Sequence, residues 1–150
     1  MNHTLFMRFV PRALKAIATQ FLNHYRAHNV SAMVELFDPA GTVEYVPFHV
    51  KGSVTEAGAG TWNTLIDSFP NLTNQILTIR QDETGRIAYA DVFIGGTQAK
   101  DAFDVPNQGK TYDLRHLFVF EINATGKITR VVSFWDNADW YQQLGKTSLD

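Results

Sequence analysis

Cysteine is absent from these 150 residues. That excludes disulfides, a thiol nucleophile and any zinc site with cysteine ligands. Charge is sparse too: 19% of residues are charged against 45% hydrophobic, and the formal net charge is −2. Without a basic stripe, nucleic acid is not an expected partner. No apolar run approaches the roughly 20 residues of a membrane span, so no membrane partner is expected either. In the opening MNHTLFMRFVPRALKA, Arg8 interrupts the apolar stretch and Pro11 ends it, which makes a cytoplasmic protein the expectation. A phosphate loop with its Lys-Ser/Thr and a Ser-His-Asp signature are both missing. His24 and His28 stand four apart, but no Glu lies between them as in a zincin, and they read as a solvated pair. No metal and no cofactor are expected.

What the chain has in quantity is aromatic: eleven Phe, five Tyr and three Trp. Most must fill a core, and a surplus can line a pocket or an interface. The length and composition suit one globular domain over residues 1–150.

Pro11 can sit in the first turn of a helix to about His28, with Leu14, Ile17, Phe21, Leu22 and Tyr25 on one face. Ser31 reads as the N-cap of a short second helix, ended by Asp38-Pro-Ala-Gly41, and Gly41 to Val46 as a strand stopped at Pro47. Ser53 and Glu56 form a capping-box pattern for a third helix to about Phe69, weakened by Gly58 and Gly60. The period then changes to two. Leu72–Gln81, Ile87–Gly95, Thr97–Val105, Thr111–Ile122 and Ile128–Trp135 read as strands of an antiparallel meander, with turns at Gly85, Gly95-Gly96, Pro106–Gly109 and Gly126. Asp136 is placed as the N-cap of a last helix, Asp139 lies three residues on, and Gly145 is the stop.

Helices, then strands, then one helix predict an α+β fold: a strongly bent, mostly antiparallel sheet packed against about three N-terminal helices, with a C-terminal helix. A bent sheet under helices leaves room for a cavity. Strand 111–122 carries Tyr112, Leu114, His116, Phe118 and Phe120 on one face, yet Leu117 and Val119 on the other. Two apolar faces predict a homodimer through the sheet.

That order of elements resembles the SnoaL-like branch of the nuclear-transport-factor-2-like superfamily. The pieces that carry the resemblance are Phe37-Asp-Pro, Phe69-Pro, Gly96-Thr-Gln…Phe103…Pro106…Gly109-Lys and the ending Gly-Lys-Ile…Asp136…Gln143-Leu-Gly. It implies a cone-shaped roll with a pocket for a small hydrophobic molecule, and a protein similar to polyketide cyclases, ketosteroid isomerases and limonene epoxide hydrolases. The isomerases' base Asp follows Val-Glu, where this chain has Tyr45; their helix Tyr falls at Phe21, and their strand Asp falls near His116. The epoxide hydrolases' water-holding Tyr and Asn fall at Val43 and Tyr45. The last-strand Asp of hydrolases and cyclases falls at Ser133, which cannot act as a carboxylate base. The cyclases' second Asp is Asp136, and their nearby His corresponds to His116.

Four residues are thus candidates for chemistry. Mid-strand burial would leave His116 a neutral acid/base. Asp136 is a pocket-mouth acid or a plain N-cap. Asp91, between Tyr89 and Phe93, is a buried carboxylate with a raised pKa if that face points inward, and a solvated charge if it points outward. Tyr45 would donate a hydrogen bond to a developing enolate, or is a core Tyr. His49, Trp62, Phe21, Phe118, Ser133 and Trp135 are expected to contact the ligand. The expected activity is cofactor-free isomerisation, cyclisation or lyase chemistry on a polyketide, terpenoid or steroid-like carbonyl compound. The alternative is a non-catalytic binding or protein-interaction domain of the same fold.

Overall fold

The computed structural model describes residues 12–147. It begins with helix α1 (Arg12–Arg26), which buries Leu14, Ala18, Phe21, Leu22 and Tyr25 along one stripe, as the apolar spacing requires. Polar contacts fix where α1 ends. Arg26 donates to the backbone oxygen of Asn74 (3.1 Å) and to its side-chain oxygen (2.9 Å), and Asn74 donates back to the Leu22 carbonyl (2.9 Å). These contacts tie α1 to the strand that carries Asn74.

A short helix α2 (Val30–Glu35) follows. Asn29 caps it, accepting from the Ala32 amide at 3.1 Å, so the cap lies two residues before the expected Ser31. Strand β1 (Phe37–Tyr45) runs into a short 3-10 turn at Val46–Phe48, and β2 (Val50–Ser53) returns beside it. The Ser53 side chain accepts from the Glu56 amide as the capping pattern requires. It opens a wide π-type turn over Val54–Gly58 before α3 (Ala59–Ser68). Then come β3 (Thr73–Gln81), β4 (Ile87–Thr97), β5 (Thr111–Ile122), β6 (Ile128–Trp135) and α4 (Asn137–Gln143).

The six strands form one sheet in the order β2-β1-β6-β5-β4-β3. The fold is the expected α+β cone with a mostly antiparallel sheet, with one pairing that the sequence does not signal and one correction. First, β1 pairs parallel with β6, and only the other pairings are antiparallel. The route from β1 to β6 passes through α3 and four strands, so no short crossover signals the parallel pair. Second, no separate strand spans Thr97–Val105. β4 continues through Gly95-Gly96 to Thr97, and a loop with a single Ala102–Val105 bridge follows. The glycines do not turn the chain; a Cβ on Gly95 would sit 2.5 Å from the Tyr112 carbonyl oxygen. Gly is there for close approach to β5. β2, four residues with no buried side chain, gives no alternation to read.

The C-terminal elements follow the sequence closely. Asp136 caps α4 by accepting from the Asp139 amide at 3.1 Å, and Gly145 ends the turn with φ +86°. α4 folds Trp140 back onto the core. No described helix is long and apolar enough to cross a membrane.

Candidate functional site

Because side chains alternate along each strand, strand register decides what lies inside the cone. On the inner face one row across the sheet is Tyr45, Ser133, Phe118 and Ala90; the next is Trp135, His116 and Val92; a third is Leu114 and Ile94. Towards the other end come Val43, Val131, Phe120 and Ala88. The small Ala88 and Ala90 make room for α1. Phe21 enters there and sits edge-on to Phe120 (5.2 Å), Trp62 (5.4 Å), Phe118 (6.0 Å) and Phe37 (6.2 Å). This cluster seals the narrow end.

Beyond it the helices and sheet enclose a cavity of about 30 Å³, space for one or two waters. Its walls are Tyr25 from α1, Trp62 and Leu65 from α3, Tyr45 and Phe48 from β1 and the turn after it, Ile94 from β4, Tyr112, Leu114, His116 and Phe118 from β5, Ser133 and Trp135 from β6, and Trp140 from α4. No lining side chain is a carboxylate, a Lys or an Arg. The polar groups are three phenols, one hydroxyl, three indoles and one imidazole. Among the described residues no three His, Asp or Glu side chains gather as a metal site would require.

His116 is 9% exposed, and its Nδ1 lies 3.0 Å from the Leu114 carbonyl oxygen. A carbonyl only accepts, so Nδ1 carries the proton and Nε2 of the neutral ring keeps a lone pair. Burial lowers the imidazole pKa from 6.5 to about 4, against a weaker opposing effect of the Leu114 hydrogen bond. The ring lies between Trp135 (5.1 Å) and Phe118 (5.9 Å). Tyr45 donates to the Gly58 carbonyl at 3.3 Å, a long bond. Burial drives its phenol pKa well above the ordinary value, the neighbouring Tyr25 adds to that, and a hydrogen bond from Thr61 opposes it. The Ser133 side chain is buried between Tyr45 and Phe118 on the same face.

The wide end is closed by Phe48, which stacks on Phe103 (5.1 Å, 9°) and meets Trp135 edge-on (4.9 Å). Both rings ride on backbone held at positive φ: His49 (φ 56°) follows Phe48, and Phe103 (φ 53°) is followed by Asp104 (φ 61°). Left-handed non-glycine residues in succession cost energy and mark a segment held by its surroundings.

The structure therefore gathers His116, Tyr45, Trp62, Phe118, Ser133 and Trp135 in one cavity. Four candidates lie outside it. Asp91 is on the outer face of the sheet, because Ala90 and Val92 take the inner one. There it receives both guanidinium donors of Arg115, one at 2.8 Å. That hydrogen bond holds its carboxyl below the usual value, the opposite of a buried acid. Asp136 is exposed and engaged as the α4 cap. Phe21 belongs to the seal of the narrow end, and His49 is exposed beside the 3-10 turn. Sequence reading missed Tyr25, Tyr112, Phe48 and Trp140 as cavity residues. Two of these had a signal: Tyr112 is four residues from His116 on one strand face, and Tyr25 one turn from Phe21 on one helix face.

A second, broader hollow of about 710 Å³ lies on the surface, lined by Asp101, Asp104, Gln108 and Lys146 among others. It opens widely to solvent and gathers none of the candidate residues.

Among curated proteins none matches the sequence significantly. Solved structures match over most of their length. A candidate SnoaL-like polyketide cyclase from Jannaschia sp. CCS1 superimposes with a TM-score of 0.79 at 13% identity, covering 91% of this chain and 93% of the other. A candidate polyketide cyclase from Pseudomonas putida gives 0.75 at 20% identity, covering 89% and 98%. A protein with a ketosteroid isomerase-like fold from Catenulispora acidiphila, bound to trimethylamine, gives 0.71 at 15% identity, covering 86% and 92%. At such identities these likenesses establish the fold. The sequence itself matches the model of the SnoaL-like domain over residues 18–131, from α1 to the middle of β6. The chain belongs to the SnoaL-like domain family.

Proposed function

We propose that the cone takes up a small, largely apolar carbonyl compound and that His116 moves a proton beside the carbonyl. The observation that carries this reading is the fixed Nδ1–H of His116, which leaves Nε2 as a lone-pair base in a cavity without carboxylates. Nε2 takes a proton from the carbon α to the carbonyl, and the C–H electron pair becomes the enolate. Tyr45 and Ser133 are the donors available to the developing oxygen. The Tyr45 proton, loosely held by Gly58 at 3.3 Å, can be re-aimed. Imidazolium then returns the proton to another carbon in an isomerisation. In a cyclisation the enolate carbon attacks a second carbonyl of the same molecule, and the proton goes to the new alkoxide. An imidazole with a pKa near 4 is a weak base in the empty cavity. An enolate forming beside it raises that pKa as the reaction proceeds, because opposite charges stabilise each other there.

A ligand needs more than the present 30 Å³. Admission therefore requires Phe48 and Phe103 to swing out from the wide end.

The test is exchange of the α-protons of 1-tetralone in D2O, followed by NMR. The wild-type protein is expected to accelerate it, and His116→Ala to lower that acceleration about 10²–10⁴-fold while keeping the fold. A fully active variant sinks the mechanism. One observation favours a second reading, a binding protein: with Asp91 and Asp136 outside the cavity, His116 has no carboxylate partner there. Such a protein binds 1-tetralone without exchanging it and keeps its affinity in His116→Gln.

The outer sheet face supports a homodimer. Leu117 (41%), Phe134 (40%) and Tyr89 (37%) are exposed there, with the partly buried Phe93 and Val119 beside them. An apolar patch of this kind on a sheet suits a second copy of the same face.

A further inference from the structure

Three phenols reach the cavity: Tyr25 from α1, Tyr45 from β1 and Tyr112 from β5. They are not equivalent. In the empty cavity Tyr45 donates, through a long bond, to Gly58. Tyr25 and Tyr112 are 4% and 3% exposed. The Tyr112 oxygen accepts from the Trp140 side chain, and neither hydroxyl donates to an acceptor among the described residues. A buried hydroxyl without an acceptor costs free energy, and a fold that keeps one usually has a partner for it at some stage of its work. Burial holds all three phenols in the neutral form, and Tyr25 stands close enough to Tyr45 and Tyr112 to raise the pKa of both further. At neutral pH, therefore, the pair presents two O–H donors and no charge.

We propose that Tyr25 and Tyr112 form a second polar pole of the cone, a two-donor site for one oxygen atom of the ligand. The proposal rests on the reading of the cone as a ligand site and adds to it the shape of the ligand. Tyr112 and His116 face the same way four residues apart on β5, about 13 Å along an extended strand. Between the two poles the wall is apolar: Leu114, Ile94 and Leu65. The ligand that fits carries an oxygen function at each end of a flat apolar middle, as a fused two- or three-ring diketone or hydroxyketone does. It is uncharged where it meets the walls, because no lining cation is there to pair an anion. A water is the natural occupant of the pole in the empty protein, and the ligand oxygen replaces it.

The test joins two measurements on the full chain. Calorimetric titration compares 2,6-dihydroxynaphthalene, with oxygens at both ends, against 2-naphthol, with one. The wild-type protein is expected to prefer the diol about tenfold, the gain of one hydrogen bond, and the Tyr25→Phe/Tyr112→Phe variant to lose that preference. Thermal unfolding without ligand provides the structural control. For Tyr25→Phe alone, which removes a hydroxyl without an acceptor and leaves the Trp140–Tyr112 hydrogen bond in place, Tm is expected to stay unchanged or rise. A Tm lower by several degrees in Tyr25→Phe shows that this hydroxyl holds the fold together, and overturns the pole. So does a preference for the diol that survives in the double variant, or one absent from the wild type, while both probes still bind. If neither naphthol nor 1-tetralone binds the wild-type protein, the cone is not a ligand site, and both the pole and the reading beneath it fall.

Discussion

The two faces of one sheet make opposite use of polar residues. Along β5 the inner face reads Tyr112, Leu114, His116, Phe118, Phe120, and the outer face Asp113, Arg115, Leu117, Val119, Glu121. The inner face is buried and wholly neutral. The outer face mixes exposed apolar side chains with ion pairs: Asp91 with Arg115, and Arg130 with both Glu44 and Glu121 at 2.9 Å. The difference shows where proton chemistry is possible. A proton moves most readily between groups close to neutrality, in a site that excludes water. Exposed ion pairs hold their charges in place and contribute little, generally below about 1 kcal/mol.

The sharpest contrast is between His116 and Leu117, neighbours in sequence on opposite faces. His116→Ala is expected to cost the exchange reaction about 10²–10⁴-fold. Leu117→Ala, measured in the same assay, is expected to cost less than about twofold, since its side chain never reaches the cavity. A Leu117→Ala loss comparable to that of His116→Ala breaks the division of labour between the faces. Next in size is the seal. Phe21 is fully buried against four other aromatic rings of the core besides Tyr25. Phe21→Ala is expected to lower unfolding stability by about 3–5 kcal/mol, read from denaturant midpoints.

The buried imidazole also ties stability to pH. In the unfolded chain His116 protonates near 6.5, and in the folded protein only near 4. Between these values the unfolded chain binds the extra proton, so stability rises with pH across that window. The contribution is complete above about 6.5, is lost as pH falls towards 4, and changes no further below that. Its full size is roughly 3 kcal/mol. His116→Phe, which cannot be protonated, is expected to lose less stability than wild type between pH 7 and pH 4.5, by roughly 2 kcal/mol. Equal losses in urea titrations show that the His116 imidazole is not withdrawn from bulk solvent, and remove the case for a buried neutral base.

The sequence carried the faces better than it carried the connections. Period-two alternation in β5 put His116 and Phe118 together without any structure, and Asp136 and Gly145 marked both ends of α4, because caps depend on local geometry alone. The parallel β1–β6 pair was invisible, being a contact between segments some ninety residues apart. Gly95-Gly96 misled for a different reason: glycine serves a turn and a close backbone approach equally well, and only the neighbouring Tyr112 carbonyl tells them apart. Asp91 shows the limit of alternation. Its strand is apolar at Ala88, Ala90, Val92 and Ile94 and half-apolar at Tyr89 and Phe93, so either face passes for the core. Arg115 on the next strand settles the matter, and that pairing depends on register. Tyr25 and Tyr112 were legible as core residues. Their pairing across a helix and a strand was not, because each comes from a different layer.

The smallest expected effect on the subunit belongs to the outer face, and it separates assembly from chemistry. Leu117 and Phe134 are directly opposed on β5 and β6, and both are about two-fifths exposed in the single chain. If a second copy covers them, replacing both by Lys sets like charges against each other across the twofold axis. Sedimentation should then show a dimer for wild type and a monomer for Leu117→Lys/Phe134→Lys. Within one subunit the same change touches no buried contact of the cavity, so unfolding stability measured on the monomer should move by only about 0.5 kcal/mol. The Arg115–Asp91 pair beside it would remain. A monomeric wild type removes the dimer and leaves the apolar outer face without an occupant. A monomeric variant that still exchanges 1-tetralone at the wild-type rate shows that the inner face needs nothing from its partner. If exchange disappears along with the dimer, the two faces are coupled through the sheet, and the separation drawn from β5 is too clean.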